Sequence, residues 1–116
     1  MEKSPAFRLY AKDFDADTRC MTCQQVGAYT RLLINEWSTK GLPDSMGELA
    51  RIAGTDARTF AKMWKATLAN MFMLTDANMY VNKRLEAERL KQEEWREKQR
   101  EYGKMGAKKK LQYTRI

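Results

Sequence analysis

Two thiols, Cys20 and Cys23, stand in C-x-x-C spacing within residues 19–33, a pattern that elsewhere holds zinc or carries dithiol redox chemistry. The rest of the chain supports neither. A structural zinc takes four thiolate or imidazole ligands, and this sequence has two cysteines and no histidine, so a site within one subunit would have to enlist carboxylates. A thioredoxin-type pair sits after a strand, at a helix N-terminus, inside an alternation of strands and helices that is missing here. A reducing compartment also disfavours a disulfide between the two. They read as residues at a helix entrance, and no metal or cofactor is expected. The absence of histidine removes the commonest general base and every Ser-His or Cys-His arrangement. With no phosphate-cradling glycine loop and no calcium loop either, the chain is not expected to be an enzyme.

The remaining chemistry is cationic. The 116 residues carry a formal charge of +7, a balance that points toward anionic partners when it is concentrated on one face. Residues 1–40 contribute +1, residues 41–82 are neutral, and residues 83–116 carry twelve Lys/Arg against six Asp/Glu. The excess therefore sits toward the C-terminus, where Lys104 and the Lys108, Lys109 and Lys110 cluster are candidate phosphate contacts. Within the neutral middle, Arg58, Lys62 and Lys65 recur at steps of four and three, which places them along one face of a helix.

Those cations need a scaffold, and 43% hydrophobic content is enough for one buried core. Residues 7–10 (FRLY) read as a short strand, and the aspartates from Asp13 to Asp17 as a loop. Thr22 with Gln25 makes a capping box ahead of a helix whose Val26, Tyr29, Leu33 and Trp37 share a face. Residues 41–44 (GLPD) stop it and form a loop. Ser45 with Glu48 makes a second capping box, and Gly54 ends that short helix. Thr55 or Asp56 caps a third helix with an apolar stripe of Ala57, Phe60, Ala61, Trp64 and Leu68. Residues 71–74 and 79–82 then read as a hairpin closed by residues 75–78. Met21, Met46, Met63, Met71, Met73 and Met79 read as core filler. A charged helix over residues 83–102, with pairs such as Arg84/Glu88 four apart, is expected to end at Gly103 and Gly106 and to lead into a basic flexible tail over residues 103–116.

Ala50, Gly54 and Phe60 have the spacing of a helix-turn-helix: a small residue where helices cross, a glycine where the turn requires positive φ, and an aromatic wedge between them. The expected fold is mainly α with a small β-hairpin, winged helix-turn-helix-like over residues 1–82. In it the stripe from Ala57 to Leu68 turns inward and Arg58, Lys62 and Lys65 turn out together. Thr55 and Thr59 lie at the start of the third helix, where recognition helices meet bases and phosphates. The competing reading is an ordinary solvated face, which the neutral charge of residues 41–82 favours. The presumptive wing has Asp76 as its sole charge, poorly suited to the field of a phosphate backbone.

With these residues in order, the chain resembles the YdaU-like family of phage and prophage proteins over residues 5–100. The resemblance rests on Phe7, Tyr10 and Asp13; Met21-Thr22; Gly27-Ala28-Tyr29 with Leu32-Leu33 and Trp37; and Leu42-Pro43-Asp44. It continues through Leu49-Ala50-Arg51-Ile52-Ala53-Gly54, Phe60, Trp64 and Phe72 to Asn82-Lys83-Arg84-Leu85 and the charged run as far as Trp95. It implies a winged-helix-like module of a phage replication protein, an origin-binding initiator or helicase-loader component. Many relatives continue into a second region beyond the Gly-Lys-rich segment. Where relatives tend to have an aliphatic residue, this chain has Cys23, which implies a buried thiol.

The expected partner is double-stranded DNA, contacted through Thr55, Arg58, Thr59, Lys62 and Lys65 and through Lys104, Lys108, Lys109 and Lys110. The alternative is a protein-interaction module that binds a replisome component or inhibits a host defence protein. No run reaches the roughly 20 apolar residues of a membrane span and residues 1–10 lack a secretory apolar core, so a soluble, cytoplasmic protein without a membrane partner is expected.

Overall fold

The computed structural model describes the backbone of residues 6–114 and the side chains of residues 6–106. The chain divides into two units, one through Glu86 and one from Ala87 onward. The first is mainly helical with a small three-stranded antiparallel sheet.

Residues 6–10 are extended without a strand partner, so the strand expected at residues 7–10 does not form. Phe7 instead packs its ring against Trp37, centroids 5.2 Å apart. The aspartate cluster expected as a loop is helix α1, Ala11–Thr18. Tertiary contacts override its weak helix propensity. Phe14 stacks near Tyr29, centroids 6.1 Å apart, and Asp13 and Asp17, four apart on one face, both meet Arg84. Arg84 Nη2 donates to Asp17 Oδ1 at 2.9 Å, its Nε donates to Asp17 Oδ2, and Nη1 lies 3.6 Å from Asp13 Oδ2. The guanidinium expected to pair with Glu88 is thereby engaged by α1.

Helix α2, Cys23–Thr39, opens in the expected capping box: the Gln25 N–H donates to Thr22 Oγ1 at 3.2 Å and the Thr22 N–H donates to Gln25 Oε1 at 3.0 Å. It buries Ala28, Tyr29, Leu32, Leu33, Glu36 and Trp37. Lys40, in the left-handed region at φ 65°, ends it. The segment expected as pure loop then yields strand β1, Leu42–Pro43. A proline is tolerated there because the strand is on the edge of the sheet.

Helix α3, Met46–Ala53, is capped by Ser45, whose Oγ accepts from the Glu48 N–H at 3.4 Å; the reciprocal Glu48 contact of a full capping box is not formed. Gly54 closes α3 in the left-handed conformation, φ 82°, and donates its N–H to the Ala50 and Arg51 carbonyls. Asp56 caps helix α4, Ala57–Ala66, with Oδ2 accepting from the Thr59 N–H at 2.9 Å. Leu68 lies beyond α4, in a 3₁₀ turn over Leu68–Met71.

Strands β2, Phe72–Leu74, and β3, Met79–Asn82, form the expected hairpin with Phe72 opposite Asn82 and Leu74 opposite Tyr80. Asn78 takes the positive φ, 59°, that this turn requires. β1 adds to the other side of β3, giving the order β1-β3-β2. The core runs from α2 to Leu85 in the next element, with Leu32, Leu42, Leu49, Phe60 and Leu68 fully excluded from solvent. Burying one such side chain stabilises by about 1.5–3 kcal/mol. Trp64 bridges α4 and the sheet, with ring centroids 5.7 Å from Phe72 and 5.0 Å from Tyr80. Met73, expected as core filler, is exposed.

Helix α5, Lys83–Thr114, starts directly after β3. Asn82 Oδ1 accepts from the Arg84 and Leu85 N–H groups at 3.1 Å each, which supplies the cap. Gly103 and Gly106 do not end the helix as expected. A glycine costs about 1 kcal/mol within a helix but stops one only where the chain turns left-handed, and Gly54 is the sole glycine at positive φ among the described residues.

Candidate nucleic-acid interface

The two capped helices α3 and α4, joined through Gly54, Thr55 and Asp56, set the geometry of the cationic row. At 100° per residue, Arg58, Lys62 and Lys65 fall within an arc of roughly 60° on α4. Phe60 and Met63, both buried, occupy the opposite side. All three cations are exposed, and none has an ion-pair partner among the described residues.

The inward face differs from the expected stripe. Ala57 and Ala61 are exposed, while Met63 is buried in their place. The larger side chain reaches further into the core, so the helix presents Phe60 and Met63 inward and leaves the alanines outside. This rotation keeps the cations outward and leaves the small, exposed Ala61 at the edge of their arc, beside Lys65.

The hydroxyl-bearing residues are placed differently from one another. Thr55 is half-buried at the turn and donates its N–H to the Ala50 carbonyl at 3.0 Å. The Thr59 hydroxyl donates to Asp56 Oδ1 at 2.6 Å while its N–H donates to Oδ2. Those two bonds hold the exposed Asp56 carboxyl below its ordinary pKa. Thr59 is therefore part of the cap of α4. Lys104 is exposed on the part of α5 that lies in the second unit. Lys108, Lys109 and Lys110 lie on the backbone of α5, and their side chains are outside the described ones.

Gly54 carries a further neighbour that periodicity in the sequence does not reveal. A Cβ built on it would stand 3.0 Å from Arg31 Nη1 and 3.3 Å from Arg31 Cζ. The guanidinium of this α2 residue thus lies against the bare glycine at the α3–α4 turn.

The hairpin loop holds Asp76, exposed, and is flanked by Met73 and Leu74, which are 44% and 50% exposed. Cys20 and Cys23 are both exposed free thiols, which corrects the expectation of a buried Cys23. Cys23 is the first residue of α2, with its side chain on the solvent side, whereas Tyr29, Leu33 and Trp37 further along the helix supply the core contacts. Among the described residues no three His, Cys, Asp or Glu side chains gather as a metal site, and no helix is long and apolar enough to cross a membrane.

A mainly helical unit with a three-stranded antiparallel sheet, carrying an exposed cationic helix face, is the class that this architecture defines. The chain belongs to the family described as Protein of unknown function (DUF1376), whose model matches residues 5–89. Neither the curated proteins nor the solved structures yield a match to it.

Proposed function

We propose that the first unit is a winged helix-turn-helix that binds duplex DNA, with α4 as the recognition helix and Arg58, Lys62 and Lys65 facing the major groove. The observation that carries this reading is that the row has no ion-pair partner among the described residues: three exposed cations share one arc opposite the buried Phe60 and Met63. A solvated helix face commonly alternates charges so that i, i+4 pairs neutralise one another, and α4 contains no acidic residue. The order of helix, strand, helix, helix and hairpin, with β3 central in the sheet, supports the winged-helix assignment. Lys104, Lys108, Lys109 and Lys110 add sequence-independent attraction to phosphate. The resemblance to the YdaU-like family supports a role in initiating or controlling phage or prophage replication.

The test is a titration of duplex DNA at several salt concentrations with the parent chain, an Arg58→Ala/Lys62→Ala/Lys65→Ala variant, and a variant with the four C-terminal lysines changed to glutamine. Each phosphate contact contributes about 0.9 to the slope of log affinity against log salt, so both variants flatten it. A triple alanine variant that binds like its parent refutes the recognition-helix assignment.

One observation favours a protein partner as a second reading: the wing offers exposed Met73 and Leu74 and a single acidic charge, Asp76, where a phosphate-binding wing would carry cations. On this reading the module engages a replisome component or a host defence protein through the hairpin. Met73→Ser/Leu74→Ser would then abolish partner capture, whereas under the DNA reading duplex affinity is unchanged.

A further inference from the structure

Resting on the DNA-binding reading, we infer that Arg31 of α2 is a phosphate-contacting residue, held in place by Gly54 and fixing the register of α4 on the duplex. Arg31 is exposed, and its guanidinium lies flat enough against the turn that Nη1, Cζ and Nε all fall within 3.0–3.7 Å of the position a Gly54 Cβ would take. A long side chain at an exposed position ordinarily samples many rotamers. Here the guanidinium lies over the bare glycine.

Among the described residues Arg31 has no charge partner there. On its own helix the neighbours three and four residues away are Gly27, Ala28, Ile34 and Asn35, none of them anionic. The nearest carboxylate along the turn, Asp56, accepts from Thr59, and no ion pair joins it to Arg31. A planar fork of five donors, positioned at the turn between two helices and without an acceptor among the described residues, matches the oxygens of a phosphodiester. Such a contact orients the protein on the backbone without reading bases. It adds an anchor from α2 at the turn that leads into the recognition helix.

Glycine is favoured at position 54 by its φ of 82°, and a methyl group there would shift the Arg31 guanidinium by a few tenths of an ångström.

The test is fluorescence anisotropy with two 20-bp duplexes of unrelated sequence across a salt series, using the full chain, Arg31→Ala, Arg31→Gln and Ile34→Ala. Arg31→Gln retains a polar side chain over Gly54 and keeps the test informative if Arg31→Ala does not fold. Both Arg31 variants are expected to lose about three- to tenfold in affinity near 0.1 M salt, equally on both duplexes, with the salt slope flatter by about 0.9. Ile34→Ala is expected to bind like the parent. If the Arg31 variants keep the parent's affinity and slope while the Arg58→Ala/Lys62→Ala/Lys65→Ala variant is weakened, this inference falls and the DNA reading stands. If the parent binds neither duplex at low salt, both fall.

Discussion

Asn82 Nδ2 donates to the Tyr29 hydroxyl at 3.1 Å, tying the last residue of the sheet to the middle of α2. The same amide donates to the Met71 carbonyl at 2.9 Å, its Oδ1 caps α5, and its backbone N–H donates to the fully buried Glu36. One buried side chain therefore joins α2, the 3₁₀ turn, the hairpin and the start of α5. Burial holds the Tyr29 phenol above its ordinary pKa, opposed by the bond from Asn82.

Asn82→Ala is expected to destabilise by about 2–4 kcal/mol, since it strands buried polar groups on three elements at once. Tyr29→Phe, which removes one of those bonds and keeps the ring, should cost about 1 kcal/mol. Urea denaturation of both variants checks the order. Equal costs would show that the network is not centred on Asn82.

Glycines separate into two kinds. Gly54→Ala is expected to destabilise by at least about 1 kcal/mol because the left-handed conformation disfavours a side chain. Gly103→Ala and Gly106→Ala meet nothing within 4 Å and continue a helix, so each should raise helicity, by about 1 kcal/mol of local stability. Far-ultraviolet circular dichroism with thermal melts distinguishes the two directions.

Asp56 gives an acid-range signature. Its folded pKa is lowered by the Thr59 bonds, so the cap contributes fully above the unfolded value of about 3.9 and is lost as pH falls through the lower folded value. Asp56→Asn keeps a neutral acceptor and should flatten that part of the stability profile. Urea midpoints measured between about pH 2 and pH 5 test it; a variant whose midpoints track the parent's across that range would show that the cap titrates elsewhere.

Much of this fold could be read from the chain because its signals are local. Thr22 with Gln25, Ser45 ahead of α3 and Gly54 after it set helix ends through hydrogen bonds within a few residues, and the hairpin follows from two short apolar runs around a turn. What could not be read depends on distant partners. The α1 aspartates form a helix because Phe14 meets Tyr29 and Arg84 meets Asp17, 67 residues away. Leu42 and Pro43 become a strand only because β3 is alongside. On α4, periodicity alone could not decide between Ala57 and Met63 for the inward position, yet the outward cations were legible either way. The seat of Arg31 over Gly54 left no trace in spacing.

Arg84 should act locally. Arg84 and Asp13 are exposed and only the Asp17 carboxylate is half-buried, so the pairs contribute on the order of 1 kcal/mol. Arg84→Ala is therefore expected to speed amide exchange across α1 while leaving the global unfolding midpoint nearly unchanged. A large global loss would mean that α1 folds cooperatively with the core.

The most direct measurement for the central claim is the amide chemical-shift map of the isotope-labelled chain on titration with a short duplex. If α4 enters the groove, the largest perturbations fall on Arg58, Lys62 and Lys65 and their neighbours, and they shrink as salt rises. Perturbations confined to the hairpin around Met73 and Leu74, or none in α4 at saturating duplex, would contradict it.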